Sequence, residues 1–167
     1  MNLNPVLIKL DRVEFELQEQ HDFSWLNTLG EVFCVFDQQD SGNIFLGIET
    51  DGRKLFVKYA GCKPMDFFGD PRDAVLRLSS AMPLYSILEH PHLIKLVDHF
   101  ETKYGYAAIF EWFNGECLHS HWLFESKPKH SHPDSPFYKY RKLSVEKRLQ
   151  SLDVIFEFHR YVESKDT

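Results

Sequence analysis

Residues 41–60, Ser-Gly-Asn-Ile-Phe-Leu-Gly-Ile-Glu-Thr-Asp-Gly-Arg-Lys-Leu-Phe-Val-Lys-Tyr-Ala, decide the fold of this chain. Two apolar runs, 44–48 and 55–57, flank the dipeptide Asp51-Gly52. Asp-Gly tolerates the positive φ angles of a two-residue hairpin turn, so the pattern predicts two paired antiparallel strands. Lys58 then falls at the end of the second strand, where a lysine is either a solvated edge residue or a functional cation.

The composition is that of one folded, acidic domain. The chain has 167 residues, is 43% hydrophobic and contains 15 Phe, 7 Tyr and 3 Trp, which gives enough apolar surface for a core. The formal net charge of -6 and the lack of a dense Lys/Arg block argue against nucleic acid as a partner. We therefore expect an enzyme or a protein-binding module.

Neither a membrane span nor a secretion signal is predicted. No stretch approaches the ~20 apolar residues of a spanning helix, and residues 1–10 lack the charged start and long apolar run of a signal peptide. Cys34, Cys62 and Cys117 are odd in number and widely spaced, which favours reduced, structural thiols. We expect a cytoplasmic protein without membrane contact.

The N-terminal residues predict extended structure. Apolar and polar residues alternate over 6–17, with a register break near Asp11 and Arg12, and this segment is expected to lie as a strand or arm against the main sheet. Residues 31–36 form a continuous apolar run of strand length, just before the hairpin.

One helix and two further strands are predicted after the hairpin. Apolar residues recur at helical spacing over 72–89, and Pro83 within this stripe predicts a kink or a division into two helices. Residues 93–100 and 106–113 then have strand patterns on either side of a turn.

A polar connection follows the last strand. Residues 118–142 are rich in Ser, His, Pro and Lys and predict at most a short helix around 121–125. The connection carries two His-x-His pairs, which are zinc ligands or solvated loop residues: His119, His121, His130 and His132. Because a polar loop supplies no preorganised tetrahedral geometry, no metal site is assigned.

A long helix is predicted to begin after Ser144, which is suited to cap it. Leu149, Leu152 and Phe156 continue at helical spacing. Together with Ile155 they form an apolar face, which predicts contact with a protein partner or self-association through this helix.

Three motifs in a defined order carry a resemblance to a known family. They are Gly42-Asn43-Ile44 followed by Phe-Val-Lys58, the segment His-Pro-His-Leu-Ile-Lys-Leu at 90–96, and Ile-Phe-Glu-Trp-Phe at 109–113. Over residues 36–159 the chain resembles the small lobe of a eukaryotic-type serine/threonine protein kinase plus the first helices of its large lobe.

The resemblance implies an α+β fold, in which a five-stranded antiparallel sheet with one helix is followed by a hinge, a connector and a long helix. The implied domains are a small lobe with an N-terminal arm at 1–113, a hinge and connector at 114–143, and the long helix at 144–167.

The resemblance also implies a site for ATP. Lys58 would pair the phosphates, Phe110 would be the gatekeeper, and Glu111 and Phe113 would offer backbone groups to the adenine. Glu116 would bind ribose hydroxyls. The implied cofactor-binding residues are Gly42, Ile44, Lys58, Phe110, Glu111, Phe113 and Glu116.

The chain departs from the family pattern at several positions. Of the phosphate-binding glycines only Gly42 is present, while Asp37 and Asp40 place negative charge where phosphates would lie. Phe56 stands where the family usually has a small residue beside the adenine, so its ring would fill much of that slot. Ala81 stands at the position of the helix glutamate that pairs with the lysine.

Three functions remain as alternatives. In the family the activity is ATP-dependent phosphoryl transfer, but the sequence has no H-R-D loop and no D-F-G motif, so catalytic and metal-binding residues are not assigned and magnesium would need residues that this chain lacks. We therefore expect this chain to be the N-terminal part of a kinase-like protein. We expect no phosphoryl transfer from this chain alone. The alternatives are a pseudokinase-like protein-binding module with an occluded nucleotide cleft and a small-molecule phosphotransferase of related fold.

Overall fold

The computed structural model describes residues 5–37, 40–115 and 132–165. These residues form an α+β structure with a five-stranded antiparallel sheet and a two-stranded hairpin, which confirms the predicted fold class and the five-stranded sheet. None of the helices in these ranges combines the length and apolar character needed to cross a bilayer. The elements are β1 Val6–Leu10, β2 Val13–Leu17, a 3₁₀ turn Ser24–Thr28, β3 Glu31–Phe36, β4 Asn43–Thr50, β5 Arg53–Ala60, α1 Pro71–Ile87, β6 Leu96–Thr102, β7 Gly105–Glu111, α2 Pro136–Lys142 and α3 Val145–Glu163.

The chain divides into two compact units. The first contains residues 1–89 and 94–113, and the second contains residues 90–93 and 114–167. The large sheet lies in the first unit, with strand order β3-β4-β5-β7-β6.

The predicted hairpin at Asp51-Gly52 is confirmed. Both turn residues have positive φ, 47° and 73°, as a two-residue hairpin turn requires. Strands β4 and β5 pair along their whole length, from Thr50 opposite Arg53 to Asn43 opposite Ala60. Because side chains alternate between faces, this register fixes which residues of the two strands share a face.

Both faces of the sheet are covered. The face of Ile48, Val57 and Ile109 packs under the hairpin β1-β2 and the 3₁₀ turn, with Phe15 and Leu17 at the contact. On the opposite face α1 packs over a second apolar cluster, which consists of Ala60, Phe67, Ala74, Leu78, Met82, Tyr106, Ala108 and Phe110. Such full coverage explains why β7 is apolar on both sides.

Helix α1 is a single element. The Asp70 side chain accepts a hydrogen bond from the Arg72 N–H at 2.9 Å, and Pro71 occupies the first turn, where its missing N–H costs nothing. The predicted division at Pro83 is wrong, because the helix runs through it. Met82 beside it is buried in the second cluster, and this packing holds the last turn in place.

The N-terminal residues form a hairpin of their own, and the register break expected there is the turn between two strands. Asp11 has φ 46° at this turn, and its carboxylate accepts a hydrogen bond from the Val32 N–H at 2.7 Å. Of the two predicted forms, a strand or an arm against the main sheet, the structure has the arm: β1 pairs with β2, and the hairpin packs on the sheet through side chains.

Strand β6 begins later than predicted. Residues 90–93 form a turn, in which the Leu93 N–H donates to the His90 carbonyl at 3.0 Å, so pairing with β7 starts only at Leu96. The proline at position 91 explains the turn, because it disfavours helical and ladder geometry around it.

In the second unit, α3 begins as predicted. The Ser144 hydroxyl accepts a hydrogen bond from the Lys147 N–H at 3.3 Å. Helix α2 differs from the irregular connection that the sequence predicts over residues 118–142. Its signals are Pro136 in the first turn and three basic residues in the last turn, which complement the helix dipole. The short helix expected at 121–125 lies outside the described residues.

Candidate functional site

Lys58 lies in the middle of the sheet. It pairs with Phe45 of β4 and Ala108 of β7, and its side chain is on the face covered by α1. The side chain is half-buried, with Nζ 5.5 Å from the centre of the Phe45 ring, and this burial lowers the pKa of the ammonium. No carboxylate of the described residues lies within ion-pair distance of Lys58. A desolvated cation without a counter-ion favours an anionic ligand.

An aromatic cluster lies beside Lys58 on the same face. The ring of Phe56 is 5.4 Å from Phe45, 6.3 Å from Phe110 and 6.5 Å from Trp112, measured between ring centres. Tyr85 of α1 meets Phe110 edge-on at 5.3 Å. These rings form a continuous apolar surface on which a planar base could stack, and Phe56 occupies its centre.

The residues predicted to be the hinge follow this cluster. Phe110, the predicted gatekeeper, is buried among the aromatic rings. The Glu111 N–H donates to the Lys95 carbonyl at 2.9 Å, while Phe113 is 78% exposed and its backbone makes no hydrogen bond within the described part of the chain. The backbone groups of Phe113 are thus free to bind a ligand.

Ile44 does not belong to this surface. It pairs with Tyr59, is fully buried and packs in the cluster beneath the N-terminal hairpin, on the face opposite Lys58. The prediction that Ile44 belongs to the same site as Lys58 is therefore wrong. Phe45 lies opposite Lys58 instead, because the Asp51-Gly52 turn sets this register.

Gly42 has a packing role. It has φ +76°, and a Cβ there would lie 2.7 Å from the ring of Phe67. A Cβ on Gly69 would lie 2.6 Å from the same ring, so two glycines make room for one buried phenylalanine between the sheet and α1. This contact holds the backbone at Gly42 against Phe67, in the segment that precedes α1.

The segment beside Gly42 is tied to α1 by a residue that the sequence analysis missed. Nη2 of Arg77 donates to the Ser41 carbonyl at 3.1 Å, and the Asn43 side chain donates to the same residue. The signal available in the sequence was that Arg77 is the only basic residue in the middle of α1.

Helix α1 offers no carboxylate to Lys58. Ala81 is part of the packing against the second cluster. Of the nearby acids, Asp70 is bound to Arg72 at 2.6 Å, and these hydrogen bonds lower its pKa to about 2. Asp66 and Asp73 form no ion pair with Lys58.

Some predicted residues cannot be placed. Glu116 and the histidines 119, 121 and 130 lie outside the described residues. Among residues 5–37, 40–115 and 132–165, no group of three or more His, Cys, Asp or Glu is arranged to hold a metal ion.

Comparisons of the chain with protein-family models, with curated proteins and with solved structures find no match.

Proposed function

We propose that the first unit of this chain is a nucleotide-binding small lobe of a protein kinase-like protein. The observation that carries the proposal is Lys58, a half-buried cation on a central strand that has no ion-pair partner among the described residues and lies next to an aromatic surface. The strand order β3-β4-β5-β7-β6, with one helix between the third and fourth strands along the chain, supports the same assignment.

In this proposal different residues bind different parts of the nucleotide. Lys58 binds phosphate oxygens as a point charge, and the rings around Phe56 with the free backbone groups of Phe113 receive the adenine, while the Phe56 ring itself fills part of the same space. Phosphoryl transfer is the activity of the resembled family, and in it a base and metal-binding residues outside this sequence act on the nucleotide. The proposed role of these 167 residues is to bind ATP, not to transfer its phosphate.

A second candidate function is a pseudokinase-like module that acts through protein contacts. Two observations favour it: Phe56 fills the centre of the base-binding surface, and α3 exposes an apolar stripe, namely Val145, Leu149, Leu152, Ile155 and Phe156. This stripe fits a protein partner or a second copy of the chain. A monomer by sedimentation at high protein concentration would argue against self-association.

Thermal unfolding with and without ATP separates the two candidates. Nucleotide binding by the wild-type chain raises the melting temperature in proportion to RT ln(1 + [L]/Kd), about 2.7 kcal/mol of stabilisation at a ligand concentration 100 times Kd. No rise in the wild type, together with a rise in Phe56→Ala, would establish the occluded module. No rise in either variant would reject nucleotide binding altogether.

A further inference from the structure

Helix α3 carries apolar side chains on two different faces. One face packs within the second unit, where the rings of Phe158 and Tyr161 lie 5.2 and 5.0 Å from the ring of His90. The hydroxyl groups of Tyr140 and Ser151, 2.8 Å apart, join the same face to α2. The other face is exposed and is the apolar stripe, which consists of Val145, Leu149, Leu152, Ile155 and Phe156.

The apolar stripe has the spacing of a two-helix contact. Positions 145, 149, 152 and 156 are separated by four, three and four residues, and the same spacing continues to His159 and Glu163. Such a heptad spacing lines up side chains along one seam of a helix. Since α3 has 19 residues, the seam is about 28 Å long. It is apolar from its start to Phe156 and polar at its C-terminal end.

The charges beside the seam differ in sign between its two ends. Glu146 lies beside the first turn and Arg160 beside the last, and the steps of seven residues through Asp153 put all three on one side of the seam. Glu146 and Arg160 are exposed and form no ion pair within the described residues. A seam with a negative group at one end and a positive group at the other is complementary to itself when it is turned end for end.

We infer that the apolar stripe of α3 binds the same stripe of a second copy of this chain, in antiparallel orientation. The contact is isologous, with a two-fold axis near position 154. Leu152 then lies opposite Phe156 of the second copy, and Leu149 lies opposite its His159. This rests on the second candidate function, the module that acts through protein contacts, because it names the partner.

The antiparallel orientation follows from the charges. It brings Glu146 of each copy beside Arg160 of the other, which gives two ion pairs in the dimer, against one unfavourable approach of the two Asp153 side chains near the axis. A parallel pair would place the two Glu163 side chains against each other and would separate Glu146 from Arg160. Its favourable contact, between Asp153 and Arg148, would need an arginine whose Nε is buried in its own chain.

The test is sedimentation velocity at low ionic strength, from micromolar to near-millimolar protein. We expect a concentration-dependent dimer of the wild type. Arg160→Glu and Glu146→Arg are each expected to weaken dimerisation about tenfold or more, because each turns two attractive pairs into two repulsive ones. The double variant restores both pairs with exchanged charges, so its dissociation constant should lie within about twofold of the wild-type value. Circular dichroism checks that every variant keeps its helices.

The matched control is Glu157→Arg, which reverses a charge of α3 outside the seam and should dimerise as the wild type does. Combined with Arg160→Glu, it restores the net charge of the chain without restoring the pairs with Glu146. This combination should therefore remain as weak as Arg160→Glu alone. Recovery of dimerisation in it would show that net charge, not pairing, controls association, and would overturn the inference.

The outcomes separate this inference from the proposed functions. If Arg160→Glu dimerises as the wild type does, or if the double variant stays weak, the antiparallel pairing is overturned while a module that acts through other protein contacts stands. If the wild type is a monomer throughout, the second copy is rejected as the partner. Thermal unfolding with ATP is recorded on the same proteins: a monomer that ATP stabilises overturns the inference and leaves nucleotide binding standing, whereas a charge-dependent dimer without a response to ATP supports the inference and argues against nucleotide binding.

Discussion

Replacing Phe56 with alanine is expected to destabilise the folded chain and to increase its response to ATP. The Phe56 ring contacts the rings of Phe45, Phe110 and Trp112 at centre distances of 5.4, 6.3 and 6.5 Å. Removing a fully buried phenylalanine costs about 3–5 kcal/mol. Because Phe56 is only partly buried, we expect a loss of about 2 kcal/mol, or a fall of about 4–8 °C in melting temperature for a chain of this size.

The measurement is urea unfolding followed by tryptophan fluorescence, with thermal unfolding in the presence and absence of ATP. The matched control is Phe100→Ala, which removes a partly buried ring from the opposite face, where it packs against Trp25 at 5.9 Å. The control should lose similar stability and keep the wild-type response to ATP. If Phe56→Ala shows the same ATP-induced rise in melting temperature as the wild type, the ring does not occupy the base-binding surface and the reasoning is refuted.

Three further predictions test the packing, a cap and a titration. Gly47→Ala is expected to lower the free energy of unfolding in urea by about 2–3 kcal/mol, because its Cβ would lie within 3 Å of three side chains, with the Sγ of Cys34 the nearest. The double variant with Cys34→Ala should recover part of this loss. Additive effects of the two substitutions would contradict the contact. Ser144→Ala should cost about 1 kcal/mol and reduce the helical signal in circular dichroism, and unchanged stability would show that the hydroxyl does not cap α3. Burial lowers the pKa of His21 below its ordinary 6.5, so the unfolded chain binds the proton more readily and stability should fall as the pH drops below about 6.5. His21→Gln should reduce this fall in unfolding free energy between pH 7 and 5, and an equal fall in both proteins would contradict the assignment.

Short sequence patterns predicted those parts of the fold that are determined by a few neighbouring residues. The Asp51-Gly52 turn and the Ser144 cap are decided by a few neighbouring residues, and both are present in the structure. Pro136 likewise begins helix α2, but the polar residues around it favour an irregular connection in the sequence. The turn at Asp11-Arg12 has no glycine, so the sequence alone did not reveal a second hairpin.

The site was harder to predict because it depends on strand register and on contacts distant in sequence. Ile44 was assigned by its distance from Gly42 in a family motif, yet the pairing imposed by the two-residue turn places Phe45 opposite Lys58. Counting back from the turn would have given this register. The contact of Arg77 with Ser41 joins residues 36 apart and arises only when α1 packs on the sheet, so no local pattern announces it.

The most direct test of the account compares the affinities of ATP and adenosine for the wild-type chain and for Lys58→Met. The control is Lys103→Met, which removes an exposed lysine from the turn between β6 and β7. The account predicts that the wild type and the control bind ATP more tightly than adenosine, and that Lys58→Met loses this preference by about tenfold or more while binding adenosine as before. Equal preference for ATP in all three proteins, or no binding of ATP to the wild type, would contradict the claim that Lys58 is the phosphate-binding cation of this sheet.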